Sequence, residues 1–392
     1  MFAKRTNWNL ALNPLAEALA KHRAAGKPLI DLTVSNPTES GFTYDIETIL
    51  NALRNPAALT YEPSPKGLVV AREAVARYYA DRRDTVSPDD ILLTTSTSEA
   101  YSWVFRLLCE PGDEVLVPAP SYPLLGFLAD IQDVTLRRYP LFYDHGWHID
   151  MHELERAITT RTRAVVVVHP NNPTGNYCKP SEVQGLREIC AQRGLAIVAD
   201  EVFLDFALDG VRRPSFVGNS EALTFTLSGI SKICGLPQMK AAWLVTSGPE
   251  VLKNEALARL EVIADTYLSM NAPVQLALGT LLETRHGFQA QVVHRVRANL
   301  AELNRQVGAP ALIELLAVEG GWNAVLRTTQ PSHEDRPRDI EDSLLREGVL
   351  MHPGHFYDFP SEGHLVMGLI AGTRDLAAAL RALGGTNASW RG

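Results

Sequence analysis

Lys232 is one of eight lysines in the chain and closes the segment Ser228-Gly-Ile-Ser-Lys232, with Lys240 eight positions further on. A lysine at a strand end forms a Schiff base with a carbonyl when its pKa is lowered. A solvated surface lysine is the ordinary alternative. His169-Pro-Asn-Asn-Pro-Thr-Gly175 directly follows a run of valines. Such a polar turn, at the carboxyl end of a parallel strand, delivers an asparagine side chain into a crevice, or it is a plain Asn-Pro turn. Ala199-Asp-Glu-Val-Phe-Leu-Asp205 ends another strand with an acidic pair, in which Asp200 either faces a cationic nitrogen or caps a helix. Thr94-Thr-Ser-Thr-Ser-Glu-Ala100 opens a helix. Hydroxyls and free N–H groups there favour a phosphate, and N-capping alone also accounts for them. Taken singly, each segment leaves both readings open.

The elements that must position these residues are short β-rich runs alternating with helical stretches. Strands are expected at 91–95, 114–118, 164–169, 196–202, 222–228 and 241–246, with helices at 98–108, 151–159 and 181–192. Continuous apolar strands separated by amphipathic helices mean a mostly parallel sheet buried on both faces. The expected fold is therefore α/β, a three-layer domain over residues 45–275. The C-terminal part reads differently: helical from Gln275 to Val307, then strand-like pieces at 322–327 and 365–370, and a closing helix over 374–383. This gives a smaller α+β domain over 276–392, with residues 1–44 packing on it. The crevice between such a module and the carboxyl ends of a parallel sheet is where a ligand is expected.

Composition narrows the function classes. The 392 residues are 46% hydrophobic and 21% charged, which is globular and excludes a largely disordered chain. A net charge of -8 without a dense basic run argues against nucleic-acid or anionic-membrane partners. No apolar stretch approaches the roughly 18 residues of a membrane span, and the charged N-terminus lacks the apolar core of a signal peptide. Cys109, Cys178, Cys190 and Cys234 form no C-x-x-C pair. Free thiols in a reducing cytoplasm are expected, with neither disulfides nor zinc.

The order and spacing of the four segments resemble those of the class I/II aminotransferases, fold-type I enzymes that use pyridoxal 5'-phosphate. Tyr61-Glu-Pro-Ser-Pro-Lys-Gly67, the Pro120-Ser-Tyr-Pro turn and Tyr267-Leu-Ser-Met-Asn-Ala-Pro-Val-Gln275 extend the resemblance over essentially the whole chain. The resemblance implies a seven-stranded central sheet and a homodimer with shared active sites. It implies that Lys232 holds the cofactor as a Schiff base and moves the substrate proton. Asp200 would pair with the ring nitrogen, Asn172 would donate to the phenolic oxygen, and Tyr122 would lie on the ring face. Thr97 and Ser98, with Ser96 beside them, would bind the phosphate. Ser228 or Ser231 would add a contact, Lys240 a charge, and Tyr61 a contact from the neighbouring subunit. Asn36 would border the substrate. Trp322, Asn323 and the loop from His352 to Phe359 would shape the rest of the pocket.

Three positions depart from the family pattern. Lys240 stands where arginine is usual, keeping the charge and losing the two-pronged contact. Phe203 stands where tyrosine is usual, which leaves Asn172 as the main donor to the phenolic oxygen. Val366, in Gly363-His-Leu-Val-Met-Gly-Leu369, stands where the pattern places the arginine that grips the substrate carboxylate. Losing such a pair costs about 2–5 kcal/mol when nothing replaces it. His352, His355, His364 and Arg374 are the nearby replacements, and the sequence does not choose among them. The Pro-Gly turn between His352 and His355 makes a loop without further ligands, so no metal is expected. The expected function is an aminotransferase acting between an amino acid or amine and a 2-oxo acid. The alternative is lyase or decarboxylase chemistry with the same cofactor. A cofactor-binding regulator is disfavoured by the acidic balance and by the lack of room for a DNA-binding domain ahead of Asn36.

Overall fold

The computed structural model describes residues 1–306, 313–328, 345 and 347–385. A short strand near the N-terminus, β1 (Ile30–Asp31), precedes the strands of the main sheet: β2 (Ile91–Thr94), β3 (Glu114–Ala119), β4 (Thr135–Tyr143), β5 (Trp147–Ile149), β6 (Thr162–Val168), β7 (Ala196–Asp200), β8 (Thr224–Gly229) and β9 (Ala242–Ser247). Their order is β2-β9-β8-β7-β6-β3-β4-β5. The strands β8, β7, β6, β3 and β4 are mutually parallel, β9 runs against both its neighbours, and β5 folds back on β4. The sheet is thus mostly parallel. It has eight strands rather than seven, the addition being the three-residue edge strand β5. β4, absent from the sequence reading, carries Arg137 and Arg138 and is largely exposed along its first half. β5 pairs only with Leu141–Tyr143, so the first part of β4 has no strand on its outer side and needs no continuous apolar run.

The buried strands divide their side chains between two layers. Val115, Val117, Val166, Val198 and Phe225 pack under the helices Thr97–Leu108 and Glu250–Tyr267. Leu116, Val165, Val167, Ile197 and Ala199 pack on the opposite face with Leu186 and Cys190 of the helix Pro180–Arg193. This two-residue alternation, apolar on both sides, is why the strands read as unbroken hydrophobic runs.

The C-terminal module is an antiparallel sheet of β10 (Ile313–Leu315), β11 (Asn323–Thr328), β13 (His352–Pro353) and β14 (His364–Gly368), in the order β10-β11-β14-β13. A further strand, β12 (Val349–Leu350), pairs in parallel with β1, and the Gly368 amide donates to the Leu32 carbonyl at 2.6 Å. The long helical stretch is two helices, Ala272–Glu283 and Arg285–Gln306, broken at Thr284. Val307, its expected end, lies outside the described residues. The closing helix spans Thr373–Gly385. Val292, Val296 and Leu303 pack with Leu326, Leu365 and Leu376 as a separate core.

Candidate active site

Five of the motif residues leave the sheet at one edge. β2 ends at Thr94 and leads through Ser96 into the helix starting at Thr97. The turn after β3 carries Tyr122, the loop after β6 carries Asn172, β7 ends at Asp200, and β8 leads into the short helix Ile230–Ile233 that carries Lys232. In register, Asp200 sits beside Val168 of β6 and Leu227 of β8. A cavity of about 420 Å³ opens there, lined by Ser96, Thr97, Ser98, Tyr122, Asn172, Asp200, Ser231 and Lys232 from the sheet side. Phe203, Trp322, Asn323, His352, Tyr357 and Val366 are among the residues of the facing wall.

Lys232 is largely enclosed. Its Nζ lies 5.1 Å from the Trp322 ring centroid and 5.6 Å from that of Phe203. Burial lowers its pKa, and the charge of Asp200 opposes that shift. Asp200 moves the other way: burial pushes its carboxyl up to about 6, against the Val202 amide, the Tyr101 hydroxyl and Lys232. Both contacts are 3.2 Å, Val202 N–H donating to Oδ1 and the Tyr101 hydroxyl to Oδ2. A buried amine drawn toward its neutral form thus shares a cavity with a carboxylate short of positive partners.

At the helix entry, Ser96 Oγ accepts from the Glu99 amide, and the Glu99 carboxylate turns back to the Thr95 amide and hydroxyl. This N-cap leaves the Thr97 and Ser98 amides without a partner among the described residues. The two asparagines of the loop after β6 divide their work. Asn171 is buried and braces the loop through Pro120 O and Thr174 Oγ1. Asn172 lines the cavity, and its Oδ1 accepts from Asn323 Nδ2 at 2.8 Å, which leaves its own amide protons free. Gly175 closes this loop at φ +72, where a Cβ would lie 2.6 Å from the Gly320 carbonyl oxygen.

Seven of the ten residues expected from sequence therefore meet in one cavity: Thr97, Ser98, Tyr122, Asn172, Asp200, Ser231 and Lys232. Between the two serines, it is Ser231 that lines the cavity, while Ser228 is buried against the Glu201 carbonyl. Three residues stand apart. Asn36 turns its side chain into its own turn, accepting from the Thr38 amide and hydroxyl, and Thr33 and Ser35 line the cavity in its place. Lys240 is exposed, on a left-handed turn (φ 54) just ahead of β9. Tyr61 is 76% exposed, beside Trp103 and Met270. Tyr101 was not singled out from sequence, and Tyr357 only as part of the loop from His352 to Phe359. Tyr101 stands four residues after Thr97, on the same helix face, and that spacing was the available signal. Among the described residues, no three His, Cys, Asp or Glu side chains are grouped to hold a metal.

The residues present fit pyridoxal phosphate. A neutral-leaning amine suits its carbonyl, a carboxylate short of positive partners suits its protonated ring nitrogen, and unpaired helix amides suit its phosphate.

Comparison with known proteins agrees with this chemistry. The family model "Aminotransferase class I and II" matches residues 5–380. The chain is 29% identical to an alanine aminotransferase of Mycobacterium tuberculosis over 394 aligned residues, covering 96% of this chain and 90% of that one. It is 28% identical to the Escherichia coli glutamate-pyruvate aminotransferase AlaA over 360 residues, covering 90% and 88%. The structure of an alanine aminotransferase from Pyrococcus furiosus superposes with a TM-score of 0.88 at 20% identity, covering 98% of both chains. The chain belongs to the class I and II aminotransferases and is a pyridoxal-phosphate-dependent transferase of amino groups.

Proposed function

We propose that this enzyme moves an amino group between an amino acid or amine and a 2-oxo acid, with Lys232 as the residue that carries the cofactor. When bound, pyridoxal phosphate supplies an electron sink for the carbanion formed at the substrate carbon. Lys232 Nζ, whose pKa burial lowers, anchors the cofactor and then takes and returns the substrate proton. Asp200 holds the proton of the ring nitrogen. Asn172 donates its free amide protons to the phenolic oxygen, and Tyr122 covers the ring. The Thr97 and Ser98 amides and the Ser231 hydroxyl would hold the phosphate, while Lys240, exposed outside the cavity lining, would add at most a distant charge. Thr33 and Ser35, rather than Asn36, border the substrate from the N-terminal segment. The juxtaposition of Lys232 and Asp200 in one buried cavity carries this reading.

The same reading divides the chain into an N-terminal segment (1–44), a cofactor domain (45–275) and a small domain (276–392). It assigns Tyr61 to the partner's cofactor in a homodimer. Leu59, Tyr61, Val70 and Leu268 expose their side chains, and Tyr61 and Leu268 line one cleft. The four cysteines are free thiols, which fits a cytoplasmic enzyme. No helix among the described residues is long and apolar enough to cross a membrane.

The test is spectroscopic. Protein loaded with pyridoxal phosphate is expected to show a visible band that alanine, glutamate or an amine bleaches and a 2-oxo acid restores. Lys232→Ala is expected to lose both the covalent linkage and turnover. A borohydride-fixed cofactor on another lysine, with activity retained, would overturn the assignment.

A further inference from the structure

Both half-reactions of transamination use one cavity, and a 2-oxo acid carries its carboxylate beside the reacting carbon. The cavity must therefore offer that carboxylate a hydrogen-bond donor. Val366 cannot: it lines the wall on β14, with Met367 and Trp322 as apolar neighbours. Of the four candidates that the sequence left open, three are spent elsewhere. His364 stacks on Phe359 at 4.5 Å and bonds the Ser361 carbonyl. His355 packs edge-on against Phe356. Arg374 is exposed on the closing helix.

His352 alone of the four lines the cavity, and it lies directly across the β13–β14 pair from Val366. Its Nδ1 is 3.0 Å from the Tyr357 hydroxyl, and Tyr357 also lines the cavity. The Tyr357 carbonyl accepts from the Ser121 amide at 2.9 Å, which ties the pair to the turn carrying Tyr122. Whichever way the shared proton runs, the pair keeps one further donor. If the tyrosine donates, the free donor is Nε2–H; if Nδ1 donates, it is the tyrosine O–H.

Resting on the aminotransferase reading above, we propose that His352 and Tyr357 form the carboxylate-binding pair of this enzyme, in place of an arginine at position 366. Burial lowers the His352 pKa, against the opposing charge of Asp31. The pair therefore binds mainly by neutral hydrogen bonds rather than as a fixed cation. Such a pair grips a carboxylate less tightly than a guanidinium fork and penalises its absence less, so amino donors without a carboxylate are admitted beside ordinary amino acids.

The test titrates pyruvate, with no amino donor present, into the pyridoxal-phosphate-loaded enzyme by calorimetry. His352→Ala is expected to weaken pyruvate binding about ten- to a hundred-fold, with His352→Gln and Tyr357→Phe in between. Kinetically, the preference for alanine over a carboxylate-free amine as amino donor should fall by the same factor. Pyruvate binding within twofold of wild type in His352→Ala would overturn the proposal. So would a proportional weakening of alanine and amine, which marks a packing role. A wild-type protein that forms no visible band with the cofactor fails earlier and removes the cofactor reading itself, before any variant is compared.

Discussion

Replacing Asp200 by asparagine should stabilise the cofactor-free protein while abolishing its catalysis. The carboxyl is buried and its pKa rises from 3.8 to about 6, so the native state holds a proton that the unfolded chain has already released. Stability therefore falls as pH rises through the window from about 4 to about 6, and the cost is complete above it. At about 1.36 kcal/mol per pH unit, a shift of about two units makes the ionised side chain cost about 3 kcal/mol at pH 7.5. Asparagine keeps the shape and the contacts. Its Oδ1 still accepts from the Val202 amide, and its NH₂ donates to the Tyr101 hydroxyl, which can accept as readily as donate. Unfolding entropy of about 2 cal/mol/K per residue over 392 residues converts this gain to a rise of about 4 °C in melting temperature. The assay is thermal unfolding of wild type and Asp200→Asn, without cofactor, at several pH values between 4 and 8. The difference should vanish near pH 4 and open through pH 6. Glu201, pushed up to about 7 by burial, adds a slope of the same sign to both proteins and cancels in the comparison. An asparagine variant no more stable than wild type at pH 7.5, or a difference independent of pH, would refute the picture of Asp200 as a carboxylate held at a cost for the ring nitrogen.

Two further outcomes follow from the geometry. Gly175→Ala places a Cβ against the Gly320 carbonyl on a backbone at φ +72, which should cost about 1–2 kcal/mol from the left-handed backbone alone and displace the loop carrying Asn172. Lower melting temperature and weaker cofactor binding in a spectrophotometric titration are expected together. Val366→Arg, introduced into His352→Ala, should restore pyruvate binding at least tenfold by returning a guanidinium to the cavity wall, read by the same calorimetry as the single variant.

The layers of the fold were legible because burial on both faces leaves its mark directly in composition. Val165 to Val168 alternate between two helical layers, and no polar residue interrupts them. β4 was not legible, because its first part, beyond the reach of β5, tolerates Arg137 and Arg138 on a partly exposed stretch. The break at Thr284 escaped notice since both flanking helices keep one apolar periodicity across it. At the site, Lys232, Asp200 and Asn172 were readable because each follows a strand that ends at the same edge, so sequence position fixes spatial position. Asn36 failed that logic. It lies in a turn, and a turn asparagine readily bonds its own backbone, as it does here to Thr38.

This difference explains why the departures fall where they do. The cofactor end of the cavity is built from the carboxyl ends of parallel strands, whose register is set by the core: moving Asp200 would mean slipping β7 against both β6 and β8. The substrate end is built by a different unit, in which β13 contributes two residues and pairs with β14 through His352–Val366 and Pro353–Leu365. A side chain there can change partners across the strand pair without disturbing the main sheet. Exchanging an arginine on β14 for a histidine on β13 keeps a donor at the same wall of the cavity, although the two positions lie 14 residues apart in the chain. No linear spacing announces such an exchange, because the equivalence exists only across the hydrogen-bonded pair. The carboxylate site is therefore where the geometry of the folded chain adds most to its sequence, and where substrate choice can change while Lys232 and Asp200 stay in place.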